Sequence, residues 1–322
     1  MNVGIIGSGF IVPVFIENAK KDRHYHLRAV WGRHAEKLEK FREDVDYCTT
    51  DLNELLNDEK IDVIYVALPN GLHYEYAMKA LKHGKHVILE KPFTVHRSQA
   101  RKLIRYAEEK GLIIFEAVLT RYEPNYQKMK KLKDSLGKIR MVCANFSQYS
   151  RRYDLFRKGV ISPNLDRDLA GGALMDLNIY NIHYVTGMFG KPKKVAYYPN
   201  MQKGVDTSGV LILDYGSFKA TLVASKDSNA DYRVVIQGEE GYLRCDTSSS
   251  RCGDFIVKLN RQKEKKYSGD NEEFGGWKYE LKEFARLYRE KDYVKAHEYN
   301  EATLLAMWVL DEAMKFAGLD YE

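Results

Sequence analysis

Short apolar runs alternate with helically spaced apolar positions over the first third of the chain. Val3–Ile6, Leu27–Trp31, Val63–Leu68, His86–Leu89 and Leu112–Phe115 are brief and β-rich, and each predicts a strand. Between them Tyr74, Ala77, Met78 and Leu81 recur at the spacing of one helix face, as do Ala100, Leu103, Ile104 and Ala107. Strands separated by amphipathic helices build crossover units around a parallel sheet.

From about residue 139 the pattern changes to longer alternating segments such as Phe218–Leu222, joined by turns such as Gly238-Glu239-Glu240-Gly241, which predicts an antiparallel sheet. Two helices are expected in this half. One lies around Gly172–Met188, and the other around Asn300–Phe316, where Ala302, Leu305, Ala306, Val309, Leu310 and Ala313 form a broad apolar stripe. No internal repeat is visible. The expected fold class is α/β: an N-terminal doubly wound parallel sheet of Rossmann type over residues 1–118, then an α+β domain with a large open, mainly antiparallel sheet over 119–322. A length of 322 residues agrees with two domains, because single cores usually stop growing before that size. A sheet accompanied by few helices leaves one face uncovered, so self-association through that face, as a homodimer or homotetramer, is expected.

Composition narrows the classes of function. The net charge of +6 is the small difference between 51 basic and 45 acidic residues of scattered sign, so no nucleic-acid surface is expected. The densest basic run, Arg261–Lys266, is broken by Gln262 and Glu264 and reads as a solvated loop. Apolar runs are too short to cross a bilayer, and no signal peptide precedes the first strand. Cys48, Cys143, Cys245 and Cys252 have neither zinc-site spacing nor disulfide-scaffold density, which suits a reducing, cytoplasmic setting, and no metal site is expected.

Chemistry begins at the first turn. Gly7-Ser8-Gly9-Phe10-Ile11 follows a strand and opens a helix, the place where backbone N–H groups and a helix N-terminus receive a dinucleotide pyrophosphate. Gly7 permits the tight turn and Gly9 the close approach, while Val12 stands at the third glycine position. The second strand ends in Val30-Trp31-Gly32-Arg33-His34, without the acidic residue that would bind a ribose 2′-hydroxyl. Arg33 offers a cationic fork to a 2′-phosphate, so NADP(H) is favoured and NAD(H) is the second choice; as the alternative, Arg33 is a solvated helix-opening residue.

Leu68-Pro69-Asn70-Gly71-Leu72-His73, Glu90-Lys91-Pro92 and Gly171-Gly172-Ala173-Leu174-Met175-Asp176 join the glycine turn in one pattern. Together they resemble the glucose-fructose oxidoreductase, inositol dehydrogenase and rhizopine-catabolism family (Gfo/Idh/MocA). The resemblance spans most of the chain and weakens over the last hundred residues. It implies that Leu68, Pro69, Asn70, His73, Glu90 and Lys91 belong to the cofactor side, and that a helix carrying Asp176 and Tyr180 faces a polyol- or sugar-like small molecule. Ala170 and Asn178 replace glycines usual in that family, and are expected to crowd the substrate side.

Asp176, Tyr180 and His183 stand at i, i+4 and i+7, one face of a helix. Hydride transfer to or from an alcohol needs a group to take or give its proton. Tyr180 is the first choice for that acid/base, with Lys91 favouring the tyrosinate and polarising a substrate oxygen, Asp176 orienting the substrate hydroxyl or holding the lysine, and His183 in support or in Tyr180's place. The expected activity is an NAD(P)-dependent dehydrogenase or reductase acting on CH–OH groups. The alternative is a sensor of the same fold that binds the dinucleotide without chemistry.

Overall fold

The computed structural model describes residues 1–271 and 275–321. Compactness divides the chain into two units, Met1–Ala117 with Trp277–Leu304, and Val118–Gly276 with Leu305–Glu322.

The first unit holds strands β1 (Asn2–Ile6), β2 (His26–Trp31), β3 (Tyr47–Thr49), β4 (Val63–Val66), β5 (His86–Glu90) and β6 (Ile114–Ala117), with helices α1 (Ile11–Ala19), α2 (Leu52–Asn57), α3 (His73–Lys82) and α4 (Arg97–Glu109) between them. Every neighbouring pair is parallel, in the order β3-β2-β1-β4-β5-β6. That is the doubly wound order, and its direction reverses between β1 and β4, where such sheets bind ligands beyond the strands' carboxyl ends. Strands covered on both faces read as unbroken apolar runs, and all of Val63–Val66 is buried.

The second unit contains helices α5 (Pro124–Leu132), α6 (Tyr153–Arg157) and α7 (Ile179–Phe189), and a sheet of β7 (Ile139–Ser147), β8 (Lys194–Gln202), β9 (Val205–Asp214), β10 (Lys219–Ser225), β11 (Arg233–Gly238), β12 (Gly241–Cys245), β13 (Phe255–Leu259) and β14 (Lys265–Tyr267). The order is β14-β13-β12-β11-β7-β10-β9-β8, antiparallel throughout except where β7 lies beside β10. Alternation sets two faces. Val142, Ala144, Leu211, Leu213, Ala220, Leu222, Val234 and Ile236 are buried on one, the face that carries α7, whereas Met141, Cys143, Val210, Ile212, Thr221, Val223 and Val235 on the other stay partly or fully exposed.

Two further helices follow, α8 (Trp277–Glu290) and α9 (Tyr293–Ala317). Here the structure departs from a second domain running unbroken over 119–322. Trp277 packs edge-on against Phe15, Phe284 stacks on Phe115 at 4.7 Å, and the Tyr25 hydroxyl donates to the Leu281 carbonyl, so α8 and the first half of α9 belong to the first unit. Burying large aromatics is worth more than keeping neighbours in sequence together. The basic run Arg261–Lys266 also differs from a plain loop: it turns at Arg261, with φ +59°, and enters the short strand β14.

Candidate active site

The first turn is shaped by what its glycines must avoid. Gly7 has φ +132°, and a Cβ there would lie 2.2 Å from the Ala67 carbonyl oxygen at the end of β4. Its N–H donates to the Trp31 carbonyl, which ties the turn to β2 as well. Gly9 is different: a Cβ there would meet nothing within 4 Å. Its bareness relieves no clash within the protein and leaves space at the N-terminus of α1, a helix with no side-chain cap and no acidic residue in its first turn. Uncapped N–H groups at an open, side-chain-free turn fit a pyrophosphate. Ser8, Phe10 and Ile11 are partly or fully exposed around it. Arg33 is exposed two residues beyond β2, and Gly32 before it packs near Ser8, so Arg33 lies next to the same turn.

Leu68, Pro69 and Asn70 form the turn after β4, Glu90 ends β5, and Lys91 follows it, with a cis bond between Lys91 and Pro92. His73 joins these turns. It is fully buried, with Nδ1 2.8 Å from the Pro92 carbonyl and Nε2 2.8 Å from the Leu68 carbonyl. Burial depresses its pKa, and this outweighs the two carbonyls, which favour the charged ring. The Glu90 carboxyl is held above its ordinary value by burial, against the Tyr65 hydroxyl that donates to it at 2.6 Å. Glu116 braces the next residue along, accepting from the Phe93 N–H and the Thr303 hydroxyl.

In the second unit the candidate helix begins with a π stretch, Leu174–Asn178, and continues as α7. The carboxylate of Asp206, on β9, sets that start. Oδ2 accepts from the Leu174 N–H at 2.7 Å and the Tyr197 hydroxyl at 2.6 Å, and Oδ1 from the Tyr321 hydroxyl at 3.1 Å. A Cβ on Gly172, which has φ +122°, would come within 1.9 Å of Asp206 Oδ1. The second glycine of the pair is therefore required by this carboxylate. Burial pushes the Asp206 pKa up to about 6, and its three donors only partly offset the shift.

Asp176 lies in the π stretch and Tyr180 in the first turn of α7, and His183 follows one turn further on. The Asp176 carboxylate is paired with Lys226, whose side chain is 2% exposed. The Tyr180 ring packs near Phe146, at 5.7 Å between centroids, and Phe146 meets Tyr232 edge-on. His183 is buried, with Nδ1 3.3 Å from an Arg121 guanidinium nitrogen, a contact that makes Nδ1 the acceptor and leaves the proton of a neutral ring on Nε2.

The π stretch thus brings Asp176 and Tyr180 onto one element, while Lys91, the glycine turn, Arg33, His73 and Glu90 lie on the first unit. The expectation about one of the replaced glycines changes. Asn178 is fully buried, bonded to Asn181 and directed at the Leu222 carbonyl of β10, so it faces the sheet and crowds no substrate side. Ala170 is buried with φ +54°, a left-handed position that costs a non-glycine residue about 1 kcal/mol. The sequence pattern points to none of Lys226, Asp206 and Arg121: a charged residue in or beside a strand, as Lys226 and Asp206 are, normally reads as exposed, and Arg121 sits in a short 3-10 turn, Leu119–Tyr122, with no motif of its own.

Comparison with known proteins places the chain in a family. Residues 1–118 match the family described as "Oxidoreductase family, NAD-binding Rossmann fold", and residues 126–244 match the "GFO/IDH/MocA C-terminal domain". A scyllo-inositol 2-dehydrogenase (NADP(+)) of Bacillus subtilis is 33% identical, covering 98% of this chain and 97% of that protein. A D-xylose 1-dehydrogenase (NADP(+)) of Hypocrea jecorina is 27% identical over 99% of this chain and 92% of its own. Among solved structures, a 3-ketoreductase from Actinomadura kijaniata, in complex with NADP and TDP-benzene, shares the fold with a TM-score of 0.87 at 20% identity, covering 98% of this chain and 97% of that one. The chain belongs to the Gfo/Idh/MocA family of oxidoreductases.

The Asp206 cluster has a signed pH dependence. A carboxyl whose folded pKa is raised from 3.8 to about 6 stabilises the fold most below pH 3.8, and that contribution is lost as pH rises through about 6. The stability advantage of the native protein over Asp206→Asn should shrink between about pH 4 and 6 by about 3 kcal/mol and then level off, as read by urea denaturation across pH. A gap that widens with pH would mean that the three donors win over burial.

Proposed function

We propose that this protein is an NADP(H)-dependent dehydrogenase that oxidises a polyol, sugar or related hydroxy compound, or reduces the matching carbonyl. One observation carries the reading: from Leu174 to Thr186 every residue is buried except Asp176 and Tyr180. A stretch sunk in the fold that keeps only a carboxylate and a phenol open, four positions apart, presents them to a small molecule.

NADP(+) stands in the names of the Bacillus and Hypocrea relatives, and Arg33 is where a 2′-phosphate would be met. Gly7, Ser8, Gly9, Phe10 and Ile11 would hold the pyrophosphate, and Leu68, Pro69, Asn70, His73, Glu90 and Lys91 the nicotinamide half. When bound, the nicotinamide supplies the hydride acceptor or donor. Tyr180 takes the hydroxyl proton at its phenolic oxygen, or returns it in the reverse direction. Asp176 accepts a hydrogen bond from the substrate and fixes its orientation. Lys91 polarises the reacting oxygen and favours the tyrosinate. His183, with Arg121 on Nδ1, keeps an N–H on its other nitrogen and supports the same face.

Among the described residues no helix is long and apolar enough to cross a membrane. We assign the protein to the cytoplasm, supported by four free cysteines, and to a homodimer or homotetramer that covers the outer face of the large sheet.

The decisive assay adds NADP+ or NAD+ with a panel including scyllo-inositol and D-xylose and follows nicotinamide absorbance. Binding without turnover on any polyol would favour the sensor instead. With a substrate in hand, Tyr180→Phe should lower kcat/KM by roughly 10²–10⁴ with cofactor affinity retained, as loss of general acid–base catalysis does. Lys91→Met should do similar damage, and the double variant should be little worse than either, because groups acting in one step are not additive. Near-full activity in Tyr180→Phe beside an inactive His183→Ala would transfer the proton role to His183. Arg33→Ala should weaken NADP+ binding and leave NAD+ binding almost unchanged, checked by calorimetric titration of both. Light scattering at micromolar concentration should report an even-numbered assembly, reduced to monomer by Ile212→Glu with Val223→Glu; a monomeric native protein would refute the sheet interface.

A further inference from the structure

Lys226 stands where a strand's side-chain alternation calls for an apolar residue. Ala220, Leu222 and Ala224 of β10 are buried on the face that carries the candidate helix, and Lys226 continues that parity just past the strand's end. Its backbone is held on both sides, donating to the Thr207 carbonyl and accepting from the Ser150 N–H, each at 2.8 Å. The side chain therefore points inward by construction.

A buried ammonium needs a counter-charge. The neighbouring carboxylates have other donors: Asp206 takes Leu174 N–H, Tyr197 and Tyr321, and Asp227 takes the hydroxyls of Thr207, Ser208 and Ser225. Lys226 instead donates to Asp176 Oδ2. Asp176 sits in the π stretch, an irregularity that recurs at functional sites, and its side chain remains 25% exposed while Lys226 lies almost wholly beneath.

We propose that Lys226 is a positioning residue for the reaction, holding the Asp176 carboxylate charged and in place from inside the sheet so that it accepts from a substrate hydroxyl. This rests on the role given to Asp176 above. The other titratable groups near this stretch are Tyr180 and His183 from the helix, Arg121 through His183, and Asp206 from the sheet side, which accepts from the Leu174 N–H. A carboxylate such as Asp206 makes a neighbouring acid harder to ionise. Lys226 is the cation bonded directly to Asp176.

The test is kcat/KM against pH for the native enzyme, Lys226→Met, Lys226→Arg and Asp176→Asn, together with NADP+ affinity. In Lys226→Met the acid limb should move up by about one pH unit or more, the low end of what an opposite charge in direct contact contributes, with NADP+ affinity unchanged within about twofold. Lys226→Arg should keep the limb near its native position, which a merely space-filling role would not require. Should the methionine variant fail to fold, Lys226→Gln, which keeps a donor without the charge, gives the same reading. An unmoved limb beside an inactive Asp176→Asn overturns the role of Lys226 and spares that of Asp176. An active Asp176→Asn overturns both.

Discussion

A carboxylate taken out of water must find donors, and the donors found by Asp206 organise the second unit's chemistry. Its oxygens gather an N–H at the start of the π stretch, a phenol from β8 and a phenol from the segment after α9. Because Oδ1 occupies the space a side chain on Gly172 would need, the approach to the helix is confined to a backbone path open to glycine. The position of Leu174 is then fixed, and Asp176, two residues later, inherits it. Burial costs the ionised form more than three donors return, so the anchor tolerates its own protonation at mildly acidic pH.

The second unit meets its carboxylates in three ways. Asp206 is met by neutral donors, Asp227 by hydroxyls, and Asp176 by a full opposite charge. Asp206 is fully buried, whereas Asp227 and Asp176 stay partly open, and of these two Asp176 is the one paired with a full opposite charge. A pair with one end buried and the other accessible has a fixed geometry and an ionised acceptor at its open end, which a solvent-exposed carboxylate on a flexible side chain lacks.

Much of this architecture is legible in the chain. The strands of the parallel sheet announce themselves through apolar runs, except β3, where Tyr47-Cys48-Thr49 is too short to show a period. The glycine turn and the pair Asp176 and Tyr180 follow from motif and helical spacing. Helix α8 is not apparent because its buried positions, Trp277, Leu281 and Phe284, are interleaved with charged residues, and nothing local says that Trp277 packs on α1 and Phe284 on β6, far earlier in the sequence. Lys226 and Asp206 are hidden for a different reason. Polar residues at strand ends normally face water, and only the assembled sheet shows that these point inward.

His73 spans two turns that are separate in sequence, one after β4 and one after β5, through a single ring. Loops left to themselves sample many conformations, and ordering each residue's backbone costs about 1–2 kcal/mol at room temperature. Here the ordering is done during folding, by an imidazole sealed away from solvent. A ligand touching either turn meets a surface that is already rigid, and its affinity need not be spent on immobilising it.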